Sequence, residues 1–400
     1  MKKLLWVGDA GVPTGFARAT HEVLNVLRHE FDVTVLGMNY RGDPHQYPYP
    51  IWAAAAGGDE FGVGRLVWMC DRVKPDVIVV QNDGWNIPFY VNKLRTRLSN
   101  GEYAFPEYAG IPIVAVVAVD GKNFQGKWLD GVSLTVFWTQ FALDEARAGG
   151  YIGPGVVIPL GVDCTVYYPD DPREARMRRI PSLMGKFIVG NVNRNQPRKR
   201  WDLLLKCFAE WVRADDALGD TYLYLHAAPT GDKGCHVEQL ARYYGVLNRL
   251  AFMQPTLWYG ISEDEMRDTY LCFDVQVNTG QGEGFGLTTL EGMACGVPQI
   301  VTNWSGLGDW TKGASIQVPC SSTAVGPPYV NVLGGVMDEE EFIQALDHVY
   351  QNPHWRHKLG EQALARAVEP RFQWSNIGRR YVEALNNVLA PVVWKEEVSV

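Results

Sequence analysis

Two glutamates, Glu283 and Glu291, stand eight residues apart in the stretch GEGFGLTTLEGMACG, from Gly282 to Gly296. The segment Glu283-Gly284-Phe285-Gly286-Leu287 holds too much glycine for a helix interior, whereas Thr288 to Cys295 is small and apolar enough to pack as the start of a helix. The spacing predicts a loop running into a helix N-terminus. Free N–H groups and the helix dipole there suit an anion such as a diphosphate. Glu291 falls one or two turns inside, and a carboxylate so placed accepts from two hydroxyls at once, which suits a ribose or sugar diol. The competing reading is a plain glycine loop with both glutamates solvated.

The elements that must position these residues follow from hydrophobic patterning. Short apolar, β-branched runs suited to parallel strands covered on both faces occur at Leu4–Val7, Val33–Leu36, Val77–Val80, Ile113–Val119 and Leu134–Trp138. After the stretch Pro159–Pro181 the pattern restarts with Phe187–Val192, Tyr222–His226, Leu250–Phe252, Val275–Val277 and Gln299–Val301. Between strands, Phe16, Thr20, Val23, Leu24 and Leu27 recur at helical spacing, as do Trp201, Leu204, Phe208, Trp211 and Val212. The fold class is therefore α/β: two doubly wound domains, with ligands at the carboxyl ends of the strands facing a cleft. Phe372, Trp374, Ile377, Tyr381 and Leu385 predict a last amphipathic helix, and Gly313–Gly335 reads as a long loop.

Composition narrows the classes. Four hundred residues with 46% hydrophobic content suffice for two cores. A net charge of −8 argues against a generic nucleic-acid binder. Seven cysteines without CxxC spacing read as reduced, mostly packed thiols in a cytoplasmic protein, and no metal-ligand cluster is visible. The apolar run in MKKLLWVGDAGVP is too short for a secretion signal and is better read as a buried strand, and no run approaches the ~20 apolar residues that cross a bilayer.

The Glu283/Glu291 block resembles the E-x7-E signature of retaining, nucleotide-sugar-dependent glycosyltransferases of family 4, which have the GT-B fold of two Rossmann-like domains. Three further blocks are similar to that family in the expected order. Gly8–Leu27 resembles its first glycine turn and helix, Val157–Pro169 its strand and linker, and Gly190–Trp211 its strand, basic loop and helix. The resemblance implies an acceptor-side domain over 1–165, a linker over 166–185, a nucleotide-sugar-binding domain over 186–370 and a helix over 371–400 that crosses back to the first domain. It puts Arg194 and Lys199 on the donor phosphates, with Arg198 and Lys206 read as solvated neighbours. Glu291 would hold the donor ribose and Glu283 would lie by the transferred sugar. Gly284, Phe285, Gly286, Leu287 and Thr288 would touch sugar and phosphate, and Gly15 would approach the diphosphate from the opposite domain. The base is expected near Phe252–Thr256. Where the family commonly has a histidine, at the end of the fourth of these strands, this chain has Asp120, which could bind a sugar hydroxyl or act on the acceptor. Asn82 and Asp83 are acceptor-side candidates, or caps of the following turn. Same-face transfer with the leaving phosphate taking the acceptor proton needs no enzymic nucleophile. It also needs no metal and no bound cofactor beyond a nucleotide-diphosphate sugar, UDP-sugar foremost, as co-substrate.

The expected activity is retaining transfer of a hexosyl or pentosyl group to a hydroxyl acceptor, a glycoconjugate or polysaccharide first among the candidates. A second reading is glycosylation of hydroxymethylated pyrimidine bases in viral DNA, with Arg173, Arg176, Arg178 and Arg179 as a basic strip along which a duplex would lie. A third is a non-catalytic nucleotide-sugar-binding protein, because fold alone does not establish activity. The first helix, with Arg18, His21, Glu22 and Arg28, is too mixed in charge for a membrane face.

Overall fold

A computed structural model describes residues 1–12, 14–228, 230–253, 260–326 and 330–390. Buried β-branched runs form two sheets. The first contains β1 (Lys2–Asp9), β2 (Phe31–Met38), β3 (Ile51–Ala53), β4 (Val77–Gln81), β5 (Ile113–Val117), β6 (Leu134–Phe137) and β7 (Gly155–Val157). Their order is β3-β2-β1-β4-β5-β6-β7, with every pairing parallel. The second contains β8 (Phe187–Val192), β9 (Thr221–His226), β10 (Leu250–Met253), β11 (Val275–Asn278), β12 (Gln299–Thr302) and β13 (Ile316–Val318). Its order is β10-β9-β8-β11-β12-β13, again parallel throughout. In both sheets the order reverses beside the first strand, at β1/β4 and at β8/β11. A doubly wound sheet opens its ligand crevice at that point.

Local chemistry sets the helices that frame the crevices. Thr14 caps the helix Gly15–Leu27 by accepting from the Ala17 N–H at 3.1 Å, and Ala19, Val23, Leu24 and Leu27 bury one stripe. In the helix Trp201–Ala214 the buried residues include Leu204, Phe208, Trp211 and Val212. The last helix, Trp374–Leu389, lies against Gly15–Leu27. Tyr381 packs its ring 6.3 Å from that of Trp6, and a Cβ at Gly378 would sit 2.4 Å from Val26 Cβ, so only glycine allows this approach. No helix among the described residues is long and apolar enough to cross a membrane.

Two expectations need correction. Gly313–Gly335 is not a long loop: it supplies β13 and an antiparallel hairpin of β14 (Cys320–Gly326) and β15 (Val332–Met337). Its small and polar residues give no strand alternation, and its order comes from docking. Leu333 exchanges both backbone hydrogen bonds with Lys122 at 2.9 Å, and its carbonyl also accepts from Trp304 Nε1 at 3.1 Å. The hairpin thereby ties the second domain to the loop after β5. Nor do the arginines of the linker form an open basic strip. They belong to the helix Pro172–Arg179, where Arg176 pairs with Asp274 at 2.7 Å, Arg178 with Asp268 at 2.7 Å and Arg179 with Glu265 at 3.0 Å. Three of the four arginines are thus engaged in lacing the linker onto the second domain, which weakens the feature that favoured a duplex acceptor.

Candidate functional site

The loop after β11 and the turn Pro197–Lys199 after β8 form one wall of the cleft. Two hydrogen bonds stitch them together, and a third ties the loop to β15. Gln281 N donates to Arg198 O at 2.7 Å, Thr279 Oγ1 donates to Lys199 O at 3.2 Å, and Gly335 N donates to Gln281 O at 2.7 Å. This clamp sets Lys199 against Glu283 as a buried ion pair. Glu283 also accepts from Asn278 Nδ2 at 3.3 Å and lies 3.6 Å from Arg198 Nη1, and its N–H is held by Ser305 Oγ at 2.9 Å. Burial works against the charged carboxylate, yet Lys199 and Arg198 hold its pKa below the ordinary range. For Lys199 the balance goes the other way: burial pulls its ammonium down to about 8 despite the neighbouring Glu283.

Arg198 is not the solvated neighbour expected from the sequence. Its guanidinium donates to Gly282 O at 3.0 Å and lies 3.7 Å from Asp120 Oδ2 as well as near Glu283. Arg194, by contrast, makes a bidentate pair with Asp232 at 2.7 and 2.8 Å, and its side chain is 59% exposed. It stands at the rim of the wall. Lys206 pairs with Glu339.

The glycines let the two domains meet. A Cβ on Gly282 would lie 1.6 Å from Asp120 O, and one on Gly284 would lie 2.7 Å from Ala118 Cβ, so backbone of the second domain abuts the loop after β5. Gly286 has φ +96°, a left-handed conformation that turns the chain into the helix Leu287–Ala294. The ring of Phe285 is buried, stacked 5.0 Å from that of Trp310, leaving only its backbone for the cleft. Thr288 is half-buried, and its carbonyl accepts from Gln276 Nε2 at 2.9 Å. Gly15 faces Leu287, with 3.5 Å between an added Cβ and Leu287 Cδ1. Two helix N-termini, one from each domain, thus meet across the cleft.

Glu291 is buried and doubly held. Arg18 of the helix Gly15–Leu27 pairs with Oε1, and Tyr270 Oη donates to Oε2 at 2.6 Å. Arg18 also donates to Tyr167 Oη at 2.9 Å and pairs with Glu263 at 3.1 Å. Burial, strengthened by Glu291, pushes the Tyr270 hydroxyl well above its ordinary value, which keeps it a donor. By helical spacing Arg18 falls on the polar face of its helix. No local signal links it to a glutamate 273 positions away.

On the first domain, Asn82 turns inward: its Oδ1 accepts from Asp83 N at 2.8 Å and Asn86 Nδ2 at 3.0 Å, and its Nδ2 donates to Tyr90 Oη at 3.1 Å. These bonds close the turn after β4. Burial pushes the Asp83 carboxyl up to about 7, with Asp120 adding to the push and Arg198 opposing it. The expected base-binding stretch Phe252–Thr256 lies outside the described residues from position 254 onward. All seven cysteines are free.

Paired doubly wound sheets facing a cleft define a GT-B architecture. A family profile described as "GT4-conflict: Family 4 Glycosyltransferase in conflict systems" matches residues 154–380, more than half of the chain, and the chain belongs to that family. Curated relatives include proteins named D-inositol 3-phosphate glycosyltransferase. That of Frankia alni is 29% identical over 241 residues, 59% of this chain and 53% of that protein. That of Geodermatophilus obscurus is 33% identical over 156 residues, 38% of this chain and 33% of that protein. The chain spans about half the length, or less, of these relatives. Among solved structures, sucrose-phosphate synthase from Thermosynechococcus elongatus superposes with a TM-score of 0.76 at 16% identity, over 97% of this chain and 99% of that one. Anabaena Alr3699/HepE, solved in complex with UDP and glucose, gives 0.71 at 17% identity, over 97% and 100%. At these identities the likeness is one of fold.

Proposed function

We propose that the protein transfers a sugar from a nucleotide-diphosphate sugar, UDP-sugar foremost, to a hydroxyl acceptor with retention of configuration, acting in the cytoplasm. The observation that carries the reading is the meeting of the helix N-termini at Gly15 and Leu287 beside the Arg198, Lys199 and Glu283 cluster. Backbone N–H groups and cations there stabilise a diphosphate as it leaves an oxocarbenium-like centre, and this needs no metal. Arg198 and Lys199 hold the phosphates, with Arg194 joining if it exchanges Asp232 for the ligand. Glu291, oriented by Arg18 and Tyr270, takes the ribose hydroxyls. Glu283 orients the transferred sugar, and Gly284 to Thr288 present backbone to it. Asp120 and Asp83 face the acceptor, whose proton passes to the leaving phosphate, while Asn82 holds the turn that carries Asp83. Division at 1–165, 166–185, 186–370 and 371–400 accords with one sheet on each side of the linker helix.

The test is a mass-resolved screen of uridine, guanosine and adenosine diphosphate sugars, with acceptors that include glycans and hydroxymethylated DNA, comparing the native chain with Glu291→Ala. Donor turnover that Glu291→Ala abolishes supports the reading. Binding of donors without turnover of any would leave a nucleotide-sugar-binding protein in its place.

A further inference from the structure

Opposite the cations, the cleft is acidic. Asp9 ends β1, Asp83 lies just past β4 and Asp120 just past β5, and these three strands are adjacent in the first sheet. Their carboxylates therefore occupy one rim, at the carboxyl ends. Asp9 is only 8% exposed; its Oδ2 accepts from Thr14 Oγ1 at 2.6 Å, and Asn39 and the Gly11 backbone also support its charge against burial. Asp120 has Arg198 at 3.7 Å, and the same guanidinium is shared with Glu283. Other cations nearby are engaged: Arg194 by Asp232, Lys199 by Glu283, and Lys122 over the Trp304 ring at 4.7 Å.

We infer that the acceptor is a polyhydroxyl compound that carries an amino group and no phosphate, selected by Asp83 and Asp120. The inference rests on the nucleotide-sugar reading above. A bound diphosphate takes Arg198 and Lys199 as its counter-charges, which leaves the Asp120 carboxylate, with the partly charged Asp83 beside it, facing the acceptor. In a half-buried cleft salt screens little, so a phosphate on the acceptor is repelled and an ammonium attracted. Carboxylates also accept hydrogen bonds from the hydroxyls beside the reacting one. The acceptor thus differs in charge from the phosphate-bearing compound in the relatives' names.

The experiment measures nucleotide release by the full chain, with the donor found in the screen and with glucosamine, glucose or glucose 6-phosphate as matched additives. At about pH 7 the expected order of kcat/KM is glucosamine, then glucose, with glucose 6-phosphate at least about tenfold below glucosamine. Asp120→Asn shrinks that ratio by roughly threefold or more, and Asp83→Asn shrinks it by less, because Asp83 is only partly charged at that pH. A highest rate with glucose 6-phosphate, or the same response to all three including none, overturns the inference, as does a ratio that neither variant changes. Donor hydrolysis without additive is scored in the same assay, so its absence counts against the donor reading itself and is told apart.

Discussion

The buried pair Lys199–Glu283 supplies a prediction with a magnitude. The two side chains are 8% and 9% exposed, so removing the ammonium with Lys199→Met strands a carboxylate in a dry site. Breaking a buried pair in this way costs about 3–5 kcal/mol. Arg198 at 3.6 Å and Asn278 at 3.3 Å offset part of that, which points to the lower end. About 3 kcal/mol corresponds to a fall in Tm of roughly 6–12 °C for a domain of this size. Glu283→Gln should cost less, because Lys199, already drawn down to about 8 by burial, can shed its proton. From there to full neutrality near pH 7 is about one further pH unit, or about 1.4 kcal/mol. The double variant Lys199→Met/Glu283→Gln buries no charge at this pair and should recover to within about 1 kcal/mol of the native chain. Urea and thermal unfolding of all four proteins measure the cycle. Single-variant costs that simply add in the double variant, or a Lys199→Met cost below about 0.5 kcal/mol, would refute the reasoning.

Four further outcomes are expected. The phosphate-attracting form of Lys199 is full only below about 8, so donor kcat/KM should fall as pH rises through that value, and Lys199→Arg should move this limb to higher pH. The sign for stability is opposite. The unfolded lysine, at an ordinary 10.5, holds its proton more tightly, so the burial penalty is relieved between about 8 and 10.5 and an unfolding series across that window should show Lys199's own contribution becoming less unfavourable. Arg18→Ala should raise the donor KM by roughly 10- to 100-fold, the worth of about 1.5–3 kcal/mol for a hydrogen bond to a charged group, with a smaller change in kcat; initial rates that show an unchanged or lower KM would contradict the role given to Arg18. Gly284→Ala, whose Cβ would meet Ala118 at 2.7 Å, should force the domains apart and cut kcat/KM more than about tenfold, whereas Gly15→Ala, at an ordinary 3.5 Å from Leu287, should be milder.

The sequence by itself determined the alternation of strands and helices. Runs such as Val77–Val80 are apolar and β-branched at every position, and that pattern specifies a strand buried on both faces whatever its neighbours. It also determined the loop-to-helix turn at Gly286, where a left-handed backbone next to a small, apolar segment leaves little choice. Strands β3, β7 and β13, three residues each, and the hairpin β14–β15 are not legible, because three residues are too few to show a period and the hairpin's small residues give no alternation, so both gain their order from the surface they dock on. Charge partners were the largest omission. Local sequence shows that Arg176, Arg178 and Arg179 share a helix, but not that Asp274, Asp268 and Glu265 wait opposite. It shows that Arg18 is polar, but not that it crosses the cleft to Glu291. It shows Arg194 and Arg198 in one loop, and only packing of the turn Pro197–Lys199 against the loop after β11 decides which of them enters the cleft. A charge acts through distance in space, and chain separation says nothing about that distance until the domains have closed on each other.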